Sequence, residues 1–182
     1  MTAPKAGFIC LRYPLTNEGL TIAEAARDLH KRELNSEREF PELPLRRNWF
    51  LAVATSRTDV VGYLSAEILE VYEGQWYLNW IVVSQSYRDQ GIGTKLLGVA
   101  ATQAERSDSP LLMLSPLPHE REILFDYYRS RGFRWVKRPN TTPTEFFEAT
   151  PQDVIKRCGR IACGSADETT TAGHTACNDS RR

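Results

Sequence analysis

Short apolar segments alternate with polar turns along the chain as far as about residue 149, a pattern that predicts a folded domain of strands and helices. Alternating or continuous apolar positions predict strands over residues 7–13, 49–54, 60–71, 76–83, 111–114, 133–136 and 145–148. Apolar positions at helical spacing predict helices over residues 21–33, 91–105 and 120–131. Thr21 and Glu24 stand at the spacing of a capping box, which predicts the start of the first helix. This order of elements favours a mixed α/β sheet over a purely parallel one.

The sequence changes character near its end. Residues 164–182 contain no large apolar side chain, and such a segment cannot bury enough apolar surface to offset the entropy of ordering it. A chain of 182 residues is long enough to bury a sizeable core. We therefore predict one folded domain over residues 1–157 and a disordered tail over residues 158–182.

The four cysteines are unevenly placed: Cys10 lies near the start, whereas Cys158, Cys163 and Cys177 lie close to the end. A disulfide framework would distribute cysteines through the fold, so we predict that the folded part has no disulfide. Together with His174 the three late cysteines have the ligand types of a zinc site, but their spacing matches no common structural site. We therefore predict free thiols and no bound metal.

Charge and hydropathy restrict the partners. The chain has 23 Lys+Arg and 23 Asp+Glu residues, and a net charge of zero argues against nucleic-acid binding. No apolar run approaches the ~18 residues of a membrane span. The first ten residues lack the apolar core of a secretory signal, so we predict a cytoplasmic protein without a membrane partner.

One segment carries a chemical pattern. The apolar strand that ends at Val83 runs into a short polar loop and then into Arg88-x-x-Gly91-x-Gly93, which opens a helix. The first amides of a helix have no internal acceptor, and the helix dipole adds positive charge at that end. Two glycines remove the Cβ atoms that would keep a ligand away from the backbone. The pattern predicts a cradle for a pyrophosphate.

Two well-known phosphate-binding motifs do not match this segment. A dinucleotide fingerprint needs a third glycine, where Leu96 stands here, and the Walker-type phosphate-binding loop is absent. The segment instead resembles motif A of the GNAT superfamily of acyl-CoA-dependent N-acetyltransferases. A second segment, with Tyr128 four residues before Gly132-Phe133, resembles the late Tyr-x-x-x-Gly-Phe motif of that superfamily. The resemblance covers about residues 7–149 and implies a mostly antiparallel sheet of six to seven strands with about four helices.

The resemblance also implies a site for acetyl-CoA as co-substrate. The backbone of Ile81, Val82 and Val83 would pair with the pantetheine arm like an added strand. The pyrophosphate would lie on the amides of the following loop and helix start, that is Arg88, Asp89, Gln90, Gly91, Ile92, Gly93 and Thr94. Tyr128 would protonate the departing thiolate, a task that suits a phenol with a pKa of about 10. Its neighbour Tyr127 is interpreted as a packing residue.

The sequence offers several candidates for the general base. A family branch that acetylates ribosomal-protein N-termini keeps a Glu and an Asn where Pro116 and Arg121 stand here, so membership of that branch is not expected. Other members place a base on the strand before the CoA strand, which makes Glu70 a candidate beside Glu67 and Glu73. Asn79 could hold a water that carries the proton, and we expect it to face the same side as Ile81 and Val83 by the alternation of a strand. His119 is a candidate because of its ordinary pKa.

The acceptor is not readable from the sequence. A small-molecule amine and a protein amine both remain open, and Trp76 and Trp80 are candidate lining residues of an acceptor pocket. The absence of an obvious base leaves a second hypothesis, a non-catalytic acyl-CoA-binding regulatory module. The resemblance also implies a homodimer, because members of this family often pair through exposed sheet edges.

Overall fold

The computed structural model describes residues 6–34, 40–43, 45–69, 74–116, 120–138 and 145–165. The eight strands are β1 (Gly7–Arg12), β2 (Trp49–Ser56), β3 (Asp59–Leu69), β4 (Gln75–Val83), β5 (Leu112–Leu114), β6 (Arg134–Lys137), β7 (Glu145–Ala149) and β8 (Gly164–Ser165). The helices are α1 (Asn17–Leu34), α2 (Ile92–Arg106), α3 (Arg121–Arg129) and α4 (Pro151–Cys158), and a short 3-10 helix spans Gln85–Tyr87.

All eight strands form one sheet in the order β6-β7-β5-β4-β3-β2-β1-β8. The β4–β5 and β1–β8 pairs are parallel, and the other neighbours are antiparallel. This confirms the expected mixed, mostly antiparallel α/β sheet with four helices. The two-residue β8 is the strand that the sequence did not predict.

The sheet carries a separate apolar core on each face. On one face α1 packs through Ala23, Ala26 and Leu29, which are almost fully buried. On the other face α2 and α4 pack side by side, and the apolar side of α2 includes Leu96 and Leu97. Burying both faces in this way lets β2 and β3 be apolar at nearly every position. The site described below lies between these layers, where β4 meets α2 and α3.

Helix α1 begins four residues before the predicted capping box. Its start is capped by Thr16, whose hydroxyl oxygen accepts a hydrogen bond from the Gly19 amide at 3.1 Å. Thr21 lies inside the helix and donates its hydroxyl to the Asn17 carbonyl oxygen at 3.1 Å. The Thr21–Glu24 capping box is therefore wrong, because the upstream Thr16 supplies the same kind of cap.

Helix α4 was missed although its start carries a clear signal. Thr150 accepts a hydrogen bond from the Asp153 amide at 3.2 Å, and Pro151 occupies the first helical position. A Thr-Pro-x-Asp sequence is a helix start, since proline tolerates the first turn and the threonine caps it. The helix buries Val154 against α2.

The segment after α4 contradicts the prediction of a disulfide-free fold. Cys10 on β1 and Cys163 form a disulfide, and Gly164 pairs with Ile9 at the edge of the sheet. On the way Arg160 pairs with Glu105 of α2. The spacing argument failed because two cysteines 153 residues apart in sequence meet at one sheet edge. Residues 166–182, with most of the predicted tail, lie outside the described residues.

The disulfide also bears on two other predictions. Cys163 is bonded to Cys10 and is not available as a thiolate ligand, while His174 and Cys177 lie outside the described residues. Disulfides persist in oxidising surroundings, so the bond and the predicted cytoplasmic location point in different directions. No helix in the described part of the chain has the length and apolar character that crossing a membrane requires.

Candidate active site

The parallel strands β4 and β5 separate after a short contact. They pair only at Trp76–Leu112 and Tyr77–Met113, although β4 continues to Val83. The following β4 residues therefore face a gap on the β5 side while their other edge remains paired to β3. A gap of this kind can accept an extended ligand that pairs with the strand backbone.

A bulge in β4 marks the beginning of the gap. Ser65 pairs with Trp80 and Ala66 pairs with Leu78, so Asn79 has no opposite residue. The side-chain alternation changes there: Leu78 joins the same core as Ile81, whereas Trp80 joins the core under α1. The alternation used to predict the direction of Asn79 therefore does not extend across the bulge. Bulges of this kind are common beside active sites because they redirect a strand.

The start of α2 has the geometry expected of an anion cradle. Lys95 donates the first intrahelical hydrogen bond, to the Gly91 carbonyl oxygen at 3.0 Å, which leaves the earlier amides without an acceptor inside the helix. Gly91 has a φ of 74°, and a Cβ there would meet nothing within 4 Å, so the glycine serves the turn and leaves open space. Gly93 is different, because a Cβ there would lie 2.8 Å from the Tyr127 hydroxyl oxygen.

A cavity of about 690 Å³ joins the gap to the cradle. Its walls include the predicted residues Asn79, Ile81, Val82, Val83, Arg88, Gly93 and Tyr128. The side chain of Ile92 turns into the core, and Asp89 and Gln90 are exposed in the loop before α2. Glu70 and His119 lie outside the described residues, and so does Glu73. Glu67 is engaged elsewhere, since it accepts a hydrogen bond from the Asn48 side chain at 2.9 Å.

Tyr128 stands in the cavity wall with its ring fixed by aromatic neighbours. The ring packs against Phe133 and Phe147 at centroid distances of 5.6 and 5.2 Å. Burial raises the pKa of Tyr128 well above its ordinary value, and the charge of Glu120 raises it further. The phenol is therefore protonated at neutral pH and can act as a hydrogen-bond or proton donor, but it is a weaker acid than the phenol with a pKa of about 10 that the sequence argument used.

Tyr127, interpreted from the sequence as a packing residue, also faces the cavity. Its hydroxyl lies against Gly93 in the first turn of α2. The Arg131 guanidinium lies 3.6 Å from the centroid of the Tyr127 ring, donates to the Thr94 hydroxyl at 3.0 Å and donates to the Tyr127 carbonyl at 2.7 Å. Burial raises the pKa of Tyr127, opposed by the positive charge of Arg131.

The side chain of Arg88 is turned away from the cradle. It donates to the Val83 carbonyl at 3.1 Å and to the Glu33 carboxylate at 3.1 Å. Glu33 also accepts a hydrogen bond from the Gln85 amide at 3.1 Å, which ties the end of α1 to the loop before α2. The backbone of Arg88, rather than its charge, therefore belongs to the cradle.

Two further residues alter the picture of the acceptor side. Glu120, just before α3, lines the cavity. Among the described residues that line the cavity, it is the one with a carboxylate side chain. Sequence patterns gave no signal for it, because it reads as an ordinary exposed residue at a helix start. Of the two tryptophans proposed for an acceptor pocket, Trp80 lines the cavity, whereas Trp76 is fully buried against Phe50.

The fold and the site together define an acyl-CoA-dependent acyltransferase. The family model described as the acetyltransferase (GNAT) family matches residues 23–133, from α1 to the residue before β6. The chain belongs to the GNAT acetyltransferase family. No curated protein sequence matches the chain.

Solved structures with the same fold include an acyl-CoA N-acyltransferase from Pseudomonas aeruginosa, at 21% identity and a TM-score of 0.60 over 80% of this chain and 100% of that one. An aminoglycoside acetyltransferase from an uncultured soil metagenomic sample, in complex with sisomicin, matches at 20% identity and a TM-score of 0.58 over 69% and 86%. A Bacillus anthracis protein in complex with acetyl coenzyme A matches at 19% identity and a TM-score of 0.51 over 64% and 70%. Likeness at this identity shows the fold.

Proposed function

We propose that the protein transfers an acetyl group from acetyl-CoA to the primary amine of an acceptor by direct attack. The observation that carries this is the continuity of one cavity, which runs from the gap beside β4 to Gly93 in the first turn of α2 and has Tyr128 in its wall. The residues fit the co-substrate, because an extended arm can pair with β4 while a diphosphate meets the helix start. Acetyl-CoA supplies the activated thioester.

The chain's own residues supply binding and proton transfer. The backbone of Ile81 and Val82 holds the pantetheine arm, and the amides from Gly91 to Thr94 hold the diphosphate. As the amine nitrogen bonds to the acyl carbon, the carbon–sulfur bond breaks and Tyr128 gives its proton to the leaving sulfur. The backbone around the Asn79 bulge is the group we assign to the carbonyl oxygen, since amides aimed at developing charge stabilise it.

We propose Glu120 as the base that takes the proton from the acceptor amine. It is a carboxylate in the described cavity wall, and its charge acts on Tyr128. A carboxylate and a phenol on one cavity can accept a proton from the amine and donate one to the thiolate. Asn79 would position a water between Glu120 and the amine. Glu70 and His119 remain alternative bases.

A pair of substitutions at Gly91 tests the site. Asn and Asp have nearly the same size and both tolerate the left-handed backbone that Gly91 adopts. Gly91→Asn should bind acetyl-CoA within a few-fold of wild type in calorimetry, whereas Gly91→Asp places a carboxylate at the diphosphate and should weaken binding at least tenfold. Equal affinity of the two variants, or no binding by wild type, would refute the proposed site.

The acceptor class is tested by turnover. Release of CoA thiol from acetyl-CoA is followed with a panel that combines small-molecule amines, including aminoglycosides and polyamines, with peptides that carry free N-termini or lysines. Acceptor-dependent thiol release supports the transferase. Tight binding of acetyl-CoA with no acceptor-dependent release across the panel would favour the non-catalytic regulatory module.

A further inference from the structure

Arg131 is the cation that the structure fixes beside the first turn of α2. Its Nε donates to the Thr94 hydroxyl at 3.0 Å, and its Nη1 donates to the Tyr127 carbonyl at 2.7 Å and to the Ser130 hydroxyl at 2.9 Å. The central carbon of the guanidinium lies over the Tyr127 ring, 3.6 Å from its centroid. Side-chain and backbone contacts thus hold one charged group in one position at the cradle.

We infer that Arg131 binds the diphosphate of acetyl-CoA through its guanidinium. This inference rests on the proposed function, because it assigns a further binding residue to the same site. Thr94 is one of the residues whose amides have no acceptor inside α2, and Arg131 touches the side chain of that residue. A diphosphate on those amides therefore lies within reach of the guanidinium. Nη2 of Arg131 makes no hydrogen bond to any described residue, so a donor remains for a ligand oxygen.

The charge balance of the cradle supports this assignment. The arginine of the sequence pattern, Arg88, is paired with Glu33, so its charge is compensated within the protein. Arg131 has no carboxylate partner among the described residues. A fixed guanidinium that is not paired with a carboxylate is well suited to a phosphate oxygen, to which its free Nη2 can donate a charge-assisted hydrogen bond.

The Tyr127 ring explains how the cation keeps its place. Stacking of a guanidinium on an aromatic face is favourable and directional, and it leaves the edge of the guanidinium open to hydrogen bonding. The Tyr127 hydroxyl lies against Gly93, and Tyr127 also lines the cavity. Tyr127 is therefore a positioning residue for the cation.

The test compares three ligands on matched variants. Arg131→Gln removes the charge, and Arg129→Gln removes a charge from the exposed last residue of α3, two positions earlier in the chain. Affinity is measured for acetyl-CoA, for 3′-dephospho-acetyl-CoA, and for S-acetylpantetheine, which lacks the diphosphate and whose weak binding is read by ligand-observed NMR. Thermal unfolding shows that each variant is folded.

Arg131→Gln should lower the affinity for acetyl-CoA and for 3′-dephospho-acetyl-CoA about tenfold and leave the affinity for S-acetylpantetheine unchanged. Arg129→Gln should change none of the three affinities. Arg131→Lys should recover part of the affinity, because it keeps the charge but not the planar fork. The role of Arg131 would be overturned if Arg131→Gln lowered the affinity for all three ligands equally or for none of them. It would also be overturned if the affinity for acetyl-CoA fell while the affinity for 3′-dephospho-acetyl-CoA did not. If wild type binds none of the three, the proposed function itself fails, which is a distinct result.

Discussion

Glu33 at the end of α1 and Arg88 in the loop before α2 form an ion pair at 3.1 Å across 55 residues of sequence. The Glu33 carboxylate is 10% exposed and also accepts a hydrogen bond from the Gln85 amide. Arg88 in turn donates to the carbonyl of Val83, the last residue of β4. The first helix is thereby connected to the loop that precedes the proposed diphosphate cradle at the start of α2.

Glu33→Ala should loosen that loop and weaken acetyl-CoA binding about threefold to tenfold. The ion pair itself contributes little because Arg88 is half exposed, whereas loss of the acceptor for the Gln85 amide costs about 1 kcal/mol. Glu24→Ala, on an exposed position of α1, is the matched control and should leave affinity unchanged. Calorimetry gives both values. The double variant Glu33→Ala/Arg88→Ala should lose less binding free energy for acetyl-CoA than the two single variants lose together. Fully additive losses would contradict the coupling of the two residues.

Tyr128→Phe should lower kcat about a hundredfold while changing the KM for acetyl-CoA less than threefold. The substitution removes the hydroxyl but keeps the ring against Phe133 and Phe147, and a positioned acid contributes at least that factor. Tyr127→Phe is the comparison, because its hydroxyl faces Gly93 rather than the acyl end of the cavity. We expect it to alter KM more than kcat. An unchanged kcat in Tyr128→Phe would show that another group protonates the thiolate.

Glu120→Gln tests the proposed base through the pH dependence of kcat/KM. If Glu120 takes the proton from the amine, the variant should lose about a hundredfold in activity at neutral pH and recover part of it at alkaline pH, where more of the acceptor is already neutral. Glu122→Gln, at the exposed second residue of α3, should keep the wild-type profile. A Glu120→Gln profile that is parallel to wild type and only slightly lower would assign the base elsewhere.

The sequence predicted the parts of the site that depend on local patterns. The strand ending at Val83, the glycine turn at Gly91 and the wall residue Tyr128 follow from spacing along one segment or from motifs within it. The roles of Glu33, Glu120 and Arg131 could not be predicted, because each depends on elements distant in sequence that meet at the cavity. The same holds for the Cys10–Cys163 disulfide.

The bulge in β4 shows most clearly why the direction of a strand side chain could not be predicted from the sequence. Two-residue alternation gave a direction for Asn79, and a single extra residue in β4 removes the basis of that argument for every position before it. Nothing in the Leu78-Asn79-Trp80 sequence distinguishes a bulged strand from a regular one. By contrast, the start of α4 could have been found, since Thr150-Pro151-x-Asp153 is a local capping pattern.

Reduction of the Cys10–Cys163 disulfide should lower the free energy of unfolding by about 2–4 kcal/mol, the range typical of bonds that close long loops. The bond holds the segment after α4 to the sheet edge, beside the contacts that the segment makes with α2. Cys10→Ser without reductant should match reduced wild type in urea denaturation. Cys158→Ser, which removes the free cysteine of the part of the chain that the structure describes, should match oxidised wild type. Identical unfolding with and without reductant would contradict a structural role for the bond.

Alkaline pH should destabilise the fold through its buried tyrosines. Burial raises the pKa of Tyr63 and of Tyr128 far above the ordinary value, so the folded state keeps both phenols protonated when the unfolded chain ionises them. Because the pKa of each tyrosine is higher in the folded state than in the unfolded state, its contribution to the free energy of unfolding is fully present below about pH 10. Above that pH the free energy of unfolding falls by ~1.4 kcal/mol per pH unit for each tyrosine. Urea denaturation at stepped pH, in a Cys158→Ser/Cys177→Ser background to prevent thiol exchange, measures the slope. Tyr63→Phe should reduce that slope, whereas Tyr13→Phe, at a position 55% exposed, should not; equal slopes in the two variants would contradict the assignment.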